Sequence, residues 1–411
     1  MNILFLKPTN QFVSPLGKQP DFQRNYDYNQ WDVGFKELDH NTTTYDLTSN
    51  FANFGSWKVG RNVSRLINEK RIDLIIIPAM YFEISRHHLK KWKKTNVKIL
   101  FVFFDDTFRF ENYNRYYIED INYILTQETS EALSKYFELG YLANFFPCFP
   151  SSKWTENNIN QERFDSPETD DVIFIGANIA NRSEYIDFLA ENAINVQTYG
   201  RGWPGDWLES SEMCRKYKQA KISLNFTENI DELSPKVLKA RPFEISLAGG
   251  CLLLEENEEL KKYFEPGIDA LYFKNKSECL DQIRILKSDS DLRNGLVRNS
   301  TIKSQELYNF ELAWEDYLRK LLMFDNLKKE VTNKPKIPKH AIQNAMYWKC
   351  KFLILRHGKV EISSLIREYI DFVVEILFLT KRYNSVFPAL LAMKSYANLF
   401  RNKNKLLTAK E

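Results

Sequence analysis

Along most of this chain, short runs of continuous apolar residues alternate with segments whose apolar positions recur every three or four residues. Asn2–Leu6 is an apolar run closed by Pro8, and Thr43–Leu47 is β-branched. Trp57–Lys70 carries Val63, Leu66 and Ile67 on one helical stripe, Leu74–Ile77 reads as a buried strand, and Glu83–Lys94 reads as helix. Val97–Phe104 (VKILFVFF) is the strongest strand of this half; Ile121–Leu125, the helical Ser130–Leu139 and Ala143–Phe146 follow. Continuous apolar strands separated by amphipathic helices predict a parallel sheet covered on both faces.

The polar stretch Ser151–Asp170 interrupts the rhythm and reads as a linker. Alternation then resumes: strand Val172–Ile175, helix Arg182–Asn192, strand Asn195–Thr198, helix Ser210–Gln219, strand Ile222–Phe226. A helix around Lys236–Leu247, the strands Cys251–Leu254 and Ala270–Phe273, and helices through Leu321 complete this half. The pattern predicts two doubly wound α/β domains, at 1–150 and 171–310, joined by a linker at 151–170. A helix at 311–330 and a helical tail at 331–411 follow.

A length of 411 residues suits two or three domains of ~150 residues. The overall charge of +3 is too balanced for a dedicated nucleic-acid binder. It is unevenly spread, because positions 331–411 hold 15 Lys/Arg against 5 Asp/Glu, a net +10, while the remainder is net −7. That asymmetry points to a basic surface with an anionic partner. Five cysteines without a C-x-x-C pair indicate neither a disulfide framework nor a structural zinc site. The start, MNILFLKPTN, lacks a basic leader region, and the longest apolar near-miss, Tyr369–Leu379, contains Asp371 and Glu375. A reducing, cytoplasmic setting is the expectation.

Open parallel sheets take ligands beyond the carboxyl ends of their strands. Three such places stand out. Ile173–Asn178 runs from strand into Gly176 and on to a helix near Arg182, where backbone N–H groups suit a phosphate; a tight turn needing positive φ is the alternative. Tyr199–Gly205 sets three glycines around Arg201 and Trp203, either an anion seat beside a flat ring or a Gly-rich loop with an incidental Arg. Lys236–Leu252 gathers Lys236, Lys239, Arg241 and Glu244 on a helix that ends at Gly249 and Gly250. Cations near a carboxylate suit a nucleotide diphosphate, but Arg241 and Glu244 also have the spacing of an i, i+3 ion pair on a solvated helix face. In the first half, Asp105 and Asp106 follow the strongest strand, where one could polarise an acceptor hydroxyl or cap a helix. His87 and His88 read as surface or capping residues.

Several of these segments, in order, resemble spore-maturation (CgeB-type) glycosyltransferase-like proteins, relatives of the group 1 (GT4-like) glycosyltransferases. They are Asp171–Gly176, Asn181-Arg182, Tyr199–Trp203, Ile222–Phe226, Arg241–Gly250 and Phe264–Gly267. The resemblance covers about 171–320, with R-x-F-E-x-x-x-x-G-G its most specific piece. It implies a GT-B fold: two Rossmann-like domains with a deep cleft between them and the donor on the second. It further implies that Glu244 binds ribose, that Arg241 faces the diphosphate, and that Arg201 and Asn225 lie in cleft-facing motifs. Lys236 stands where the related E-x7-E pattern has its first Glu, a departure that leaves the donor sugar open. Lys236 or Lys239 would then supply a phosphate-facing cation.

The expected activity is sugar transfer from a nucleotide-diphosphate donor to a hydroxyl acceptor on a glycan, a lipid-linked glycan or a protein. Retention of configuration follows from the resemblance. No metal or other cofactor is expected; the nucleotide sugar is a co-substrate. A GT-B sugar-nucleotide epimerase and a non-catalytic scaffold are the alternatives. The basic tail, with aromatic and aliphatic faces, is read either as docking to the anionic inner face of a membrane or as a helical cap on the first domain or a dimer partner.

Overall fold

A computed structural model describes residues 1–8, 26–78, 83–104, 106–127, 132–153, 170–205, 208–227, 238–324, 338–356 and seven positions between 366 and 377. Two compact units emerge. The first comprises Met1–Tyr28, Asp39–Phe145 and Lys329–Glu411, the second Asn29–Leu38 and Phe146–Lys328.

The first unit is built on a six-stranded sheet, β2-β1-β3-β4-β5-β6. Its strands are β1 (Asn2–Lys7), β2 (Asn41–Asp46), β3 (Leu74–Ile77), β4 (Lys98–Phe103), β5 (Tyr123–Thr126) and β6 (Ala143–Phe145). All pairings are parallel, with Phe5 beside Ile76, Ile76 beside Leu100, and Phe101 beside Ile124. All four residues of β3 are buried, which is why LIII shows no alternation. The helix Leu47–Glu69 starts on Asp46, whose side chain accepts from the Ser49 N–H, and is broken by Gly55 at φ 78°. Its Val59 and Val63 pack with Leu89, Trp92 and the strand residues in one core.

The expected tail does not stand apart. Ala341, Ile342, Ala345 and Met346 of the helix Lys339–Arg356 belong to the core of the first unit, as does Phe372. The Tyr116 hydroxyl donates to the buried Glu375 carboxylate. The helical-cap reading therefore describes what the described tail residues do against this unit.

In the second unit, β7 (Asp170–Ile175), β8 (Val196–Tyr199), β9 (Ala220–Asn225), β10 (Leu252–Glu255) and β11 (Leu271–Phe273) form a parallel sheet in the order β11-β10-β9-β7-β8. Val172, Phe174, Leu224, Leu253 and Phe273 meet Tyr185, Leu189, Ile283 and Leu296 from the covering helices. The pattern does not anticipate the helical run from Asp106 to Asp120, nor the helix Tyr26–Glu37. Trp31 and Phe35, one turn apart, pack against Phe310 and Trp314 with ring centroids 4.8–5.9 Å apart. Ten residues from early in the chain thus complete the second unit. Of the expected linker, 154–169 lie outside the described residues.

Candidate functional site

In the second sheet the chain leaves β7 for β8 on one side, then returns to lay β9 on the other. The loops leaving β7 and β9 diverge, and this reversal is where open α/β sheets bind ligands. The pairing of Phe174 with Leu224 brings Ile175 alongside Asn225 at that point.

Arg241 reaches the same point from the start of the helix Arg241–Leu247, where Pro242 presets the first turn. Its Nε donates to the Ile175 carbonyl at 3.2 Å. Its Nη1 lies 2.5 Å from Glu244 Oε2 and 3.3 Å from Met213 Sδ. The i, i+3 pair does form, but not on a solvated face: the side chains are 22% (Arg241) and 2% (Glu244) exposed. Every residue from Pro242 to Leu247 is buried. Burial pushes the nearby Cys214 thiol up to about 12, and the Glu244 charge pushes the same way against Lys218.

Asn225 ends β9 buried, and its Nδ2 has no hydrogen-bond partner. Buried donors of this kind are uncommon without a bound group to satisfy them. Next to it, Thr227 donates its N–H (2.8 Å) and hydroxyl (3.3 Å) to Glu255 Oε2 at the end of β10. Neither Thr227 nor Glu255 belongs to the motifs read from the sequence. The available signal was a lone carboxylate closing an otherwise aliphatic strand, LLLE.

The loops after β7 and β8 are laced together. Gly176 N–H donates to the Tyr199 carbonyl (2.9 Å), Asn178 N–H to the Arg201 carbonyl (2.8 Å), and Asn178 Nδ2 to the Gly202 carbonyl (3.3 Å). Gly200 adopts φ 113°, and a Cβ there would lie 2.6 Å from the Gly176 carbonyl oxygen. Gly176 itself is not left-handed, contrary to the tight-turn alternative. A Cβ on it would meet the Phe174 ring at 2.8 Å, so packing demands the glycine. Gly249, at φ 80°, and Gly250 end the Arg241 helix, their N–H groups donating to the Ser246 and Ile245 carbonyls.

The expected cations separate. Arg182 is buried beneath the loop, donating to the carbonyls of Ala177 (2.9 Å) and Phe226 (3.5 Å) while its guanidinium lies over the Phe174 and Phe226 rings. Its place is that of a brace beneath the loop, whereas the expectation puts it among the cofactor-binding residues. Arg201 is exposed in the second loop, and Lys239 is half-buried just ahead of the Arg241 helix. Lys236 lies outside the described residues, as does Asp105.

Asp106 needs a second correction. It is fully buried and accepts from Asn114 Nδ2 at 2.8 Å and from the Thr126 and Tyr136 hydroxyls. Burial raises its carboxyl above the ordinary carboxylate range despite these donors. A carboxyl so enclosed ties β5 to the helix Ala132–Glu138 and does not meet an acceptor from solvent. His88 is likewise not a surface residue: it is buried, with Nδ1 2.9 Å from Ser85 Oγ, and a Cβ on Gly60 would touch its ring. Among the described residues, no three His, Cys, Asp or Glu side chains are arranged to hold a metal ion.

Residues 182–318 match the family model described as glycosyl transferase-like. No curated protein matches in sequence. Among solved structures, sucrose-phosphate synthase from Thermosynechococcus elongatus aligns over 80% of this chain and 100% of its own at 9% identity, with a TM-score of 0.53. An alpha-glucosyltransferase in complex with UDP and a 13-mer DNA containing an HMU base covers 78% of this chain and 99% of its own (10% identity, TM-score 0.55). The DNA-modifying enzyme beta-glucosyltransferase, described with and without uridine diphosphoglucose, covers 79% and 100% (15% identity, TM-score 0.52). Two parallel Rossmann-like units with these structural neighbours make the fold GT-B, and the family match over residues 182–318 marks the chain as an enzyme of the glycosyltransferase kind.

Proposed function

We propose that this chain transfers a sugar from a UDP-sugar to a hydroxyl of a glycan, a lipid-linked glycan or a protein. The observation that carries the reading is Arg241: a partly exposed guanidinium held at the strand-order reversal by the Ile175 carbonyl and the Glu244 carboxylate. A guanidinium fixed there neutralises charge as it develops on a departing diphosphate, with little reorganisation during the reaction. In the step, the anomeric carbon–oxygen bond to the diphosphate breaks and a bond to the acceptor oxygen forms. The acceptor's proton leaves with UDP. Retention of configuration is the course the resemblance implies, and NMR of the product reads it directly.

Glu244 enters this reading first as a positioning residue, because its carboxylate is buried against Arg241. Contact with a ribose hydroxyl would require that hydroxyl to share or displace the ion pair. Asn225 Nδ2 offers a second, neutral donor at the same point.

The test is thermal unfolding with UDP, GDP, CDP and ADP, then hydrolysis and transfer with the matching sugars. UDP is expected to raise Tm more than the other nucleotides. The double variant Arg241→Ala/Glu244→Gln, which removes both charges together, is expected to abolish that rise and to lower turnover by about 100-fold or more. No response to any nucleotide, or a double variant that behaves like the parent, overturns the reading.

A further inference from the structure

Near the end of the described chain, Ile366, Ile370, Phe372, Val373, Glu375, Ile376 and Leu377 are all helical. At 100° per residue they divide into two faces. Phe372 and Ile376 pack on the core of the first unit, and buried Glu375 accepts from the Tyr116 hydroxyl. Arg86 lies over that same Tyr116 ring and is itself held by Glu119 (2.8 Å) and Asp120 (2.5 Å). The inward face is thus fixed by apolar packing and a polar anchor.

The other face is an aliphatic row. Ile366, Ile370, Val373 and Leu377, spaced four, three and four apart, fall within roughly 60° of one another and are 48–61% exposed. Four large aliphatics aligned in water are a contiguous patch, not scattered surface residues. The segment that carries them, 331–411, has a net charge of +10; in sequence, Arg367 directly follows Ile366, and Lys381 and Arg382 come soon after Leu377. No helix among the described residues is long and apolar enough to cross a membrane.

We propose that this row is a membrane-docking face that seats in the interfacial region of an anionic bilayer. Charge selects the occupant. Two-fold pairing of the row with a second copy would set two +10 segments against each other. An anionic lipid surface attracts that same charge, and the row supplies apolar area to bury among headgroups and upper acyl chains. The anchor at Glu375 holds the row outward without bilayer contact, so little ordering accompanies docking. This inference stands apart from the nucleotide site: no residue of the row belongs to the second unit.

The full chain is mixed with vesicles of phosphatidylcholine containing 30% phosphatidylglycerol, and separately with pure phosphatidylcholine, and co-sedimentation is measured at low and high salt. Binding is expected to the anionic vesicles, at least tenfold weaker to the neutral ones and weakened by salt. Ile370→Ser/Val373→Ser, exposed on both sides of the row, is expected to lose at least tenfold in anionic-vesicle binding with an unchanged melting temperature and an unchanged UDP response. Lys381→Glu/Arg382→Glu is expected to weaken binding without altering the row. Equal binding by parent and Ile370→Ser/Val373→Ser, or no binding to anionic vesicles, overturns the proposal. So does a concentration-dependent dimer that Ile370→Ser/Val373→Ser disperses, which would assign the row to a second copy.

Discussion

Arg241 Nη1 and Glu244 Oε2 lie 2.5 Å apart across one helical turn, with the carboxylate 2% exposed and the guanidinium also bonded to the carbonyl that ends β7. An i, i+3 pair in water contributes only tenths of a kcal/mol. Here the acid is buried, so the pair couples helix stability to the position of a partly exposed cation at the strand-order reversal.

Removing one member should cost more than removing both charges. Arg241→Ala leaves a buried carboxylate uncompensated and is expected to destabilise the chain by about 3 kcal/mol. Adding Glu244→Gln should restore about half of that loss or more. Urea unfolding of the four species of the cycle measures the coupling, and strictly additive losses would show that the contact carries no energy of its own.

Asp106 should behave as a structural acid with an inverted pH dependence. Burial holds its folded-state value above the ordinary 3.8, so the folded chain keeps a proton that the unfolded chain releases. Its contribution to stability is complete below 3.8 and is lost as pH rises through the raised folded value. Denaturant midpoints from pH 4 to 8 should fall less steeply with rising pH in Asp106→Asn than in the parent. Asp106→Ala strands the donors on Asn114, Thr126 and Tyr136 and should cost about 2–4 kcal/mol.

Two left-handed glycines should differ in tolerance. At Gly200 the positive φ coincides with a carbonyl 2.6 Å from any added Cβ, and Gly200→Ala should cost about 2–4 kcal/mol. Gly249 has the same handedness with nothing within 4 Å, so Gly249→Asn should cost under about 1 kcal/mol. Guanidinium unfolding midpoints of the two variants test the order, and equal losses would contradict it.

The thiols should divide by burial. Cys214 and Cys279 are pushed up to about 12 by burial, with Glu244 and Glu255 adding to the effect. Cys148 is half-buried. Iodoacetamide at pH 8 should label Cys148 first and leave Cys214 and Cys279 unmodified until the chain unfolds, as peptide mass spectrometry reads. Labelling of Cys214 at the rate of Cys148 would mean that the helix Ser210–Gln219, which packs beside the Arg241 helix, opens readily.

The strands and most helices were legible because their signals are local. A buried parallel strand must be continuously apolar, as LIII and VKILFVFF are, and a covering helix must repeat its apolar positions every three or four residues. The Arg-Pro-Phe-Glu helix with its Gly-Gly ending, and the concentration of positive charge after 330, were also written in the chain itself.

Tertiary structure alone decided which of those residues meet. Spacing could pair Arg241 with Glu244 but could not tell a solvated face from a buried one, since burial depends on what packs over the helix. Asp106 and Arg182 are charged side chains like any others until Thr126, Tyr136 and the Phe226 carbonyl close over them from 20 to 44 residues away. The same holds for Asn29–Leu38, which completes the second unit, and for the tail helices that join the first. Periodicity is a property of neighbouring residues, whereas the partner of a buried charge is set by chain crossings that no local window contains.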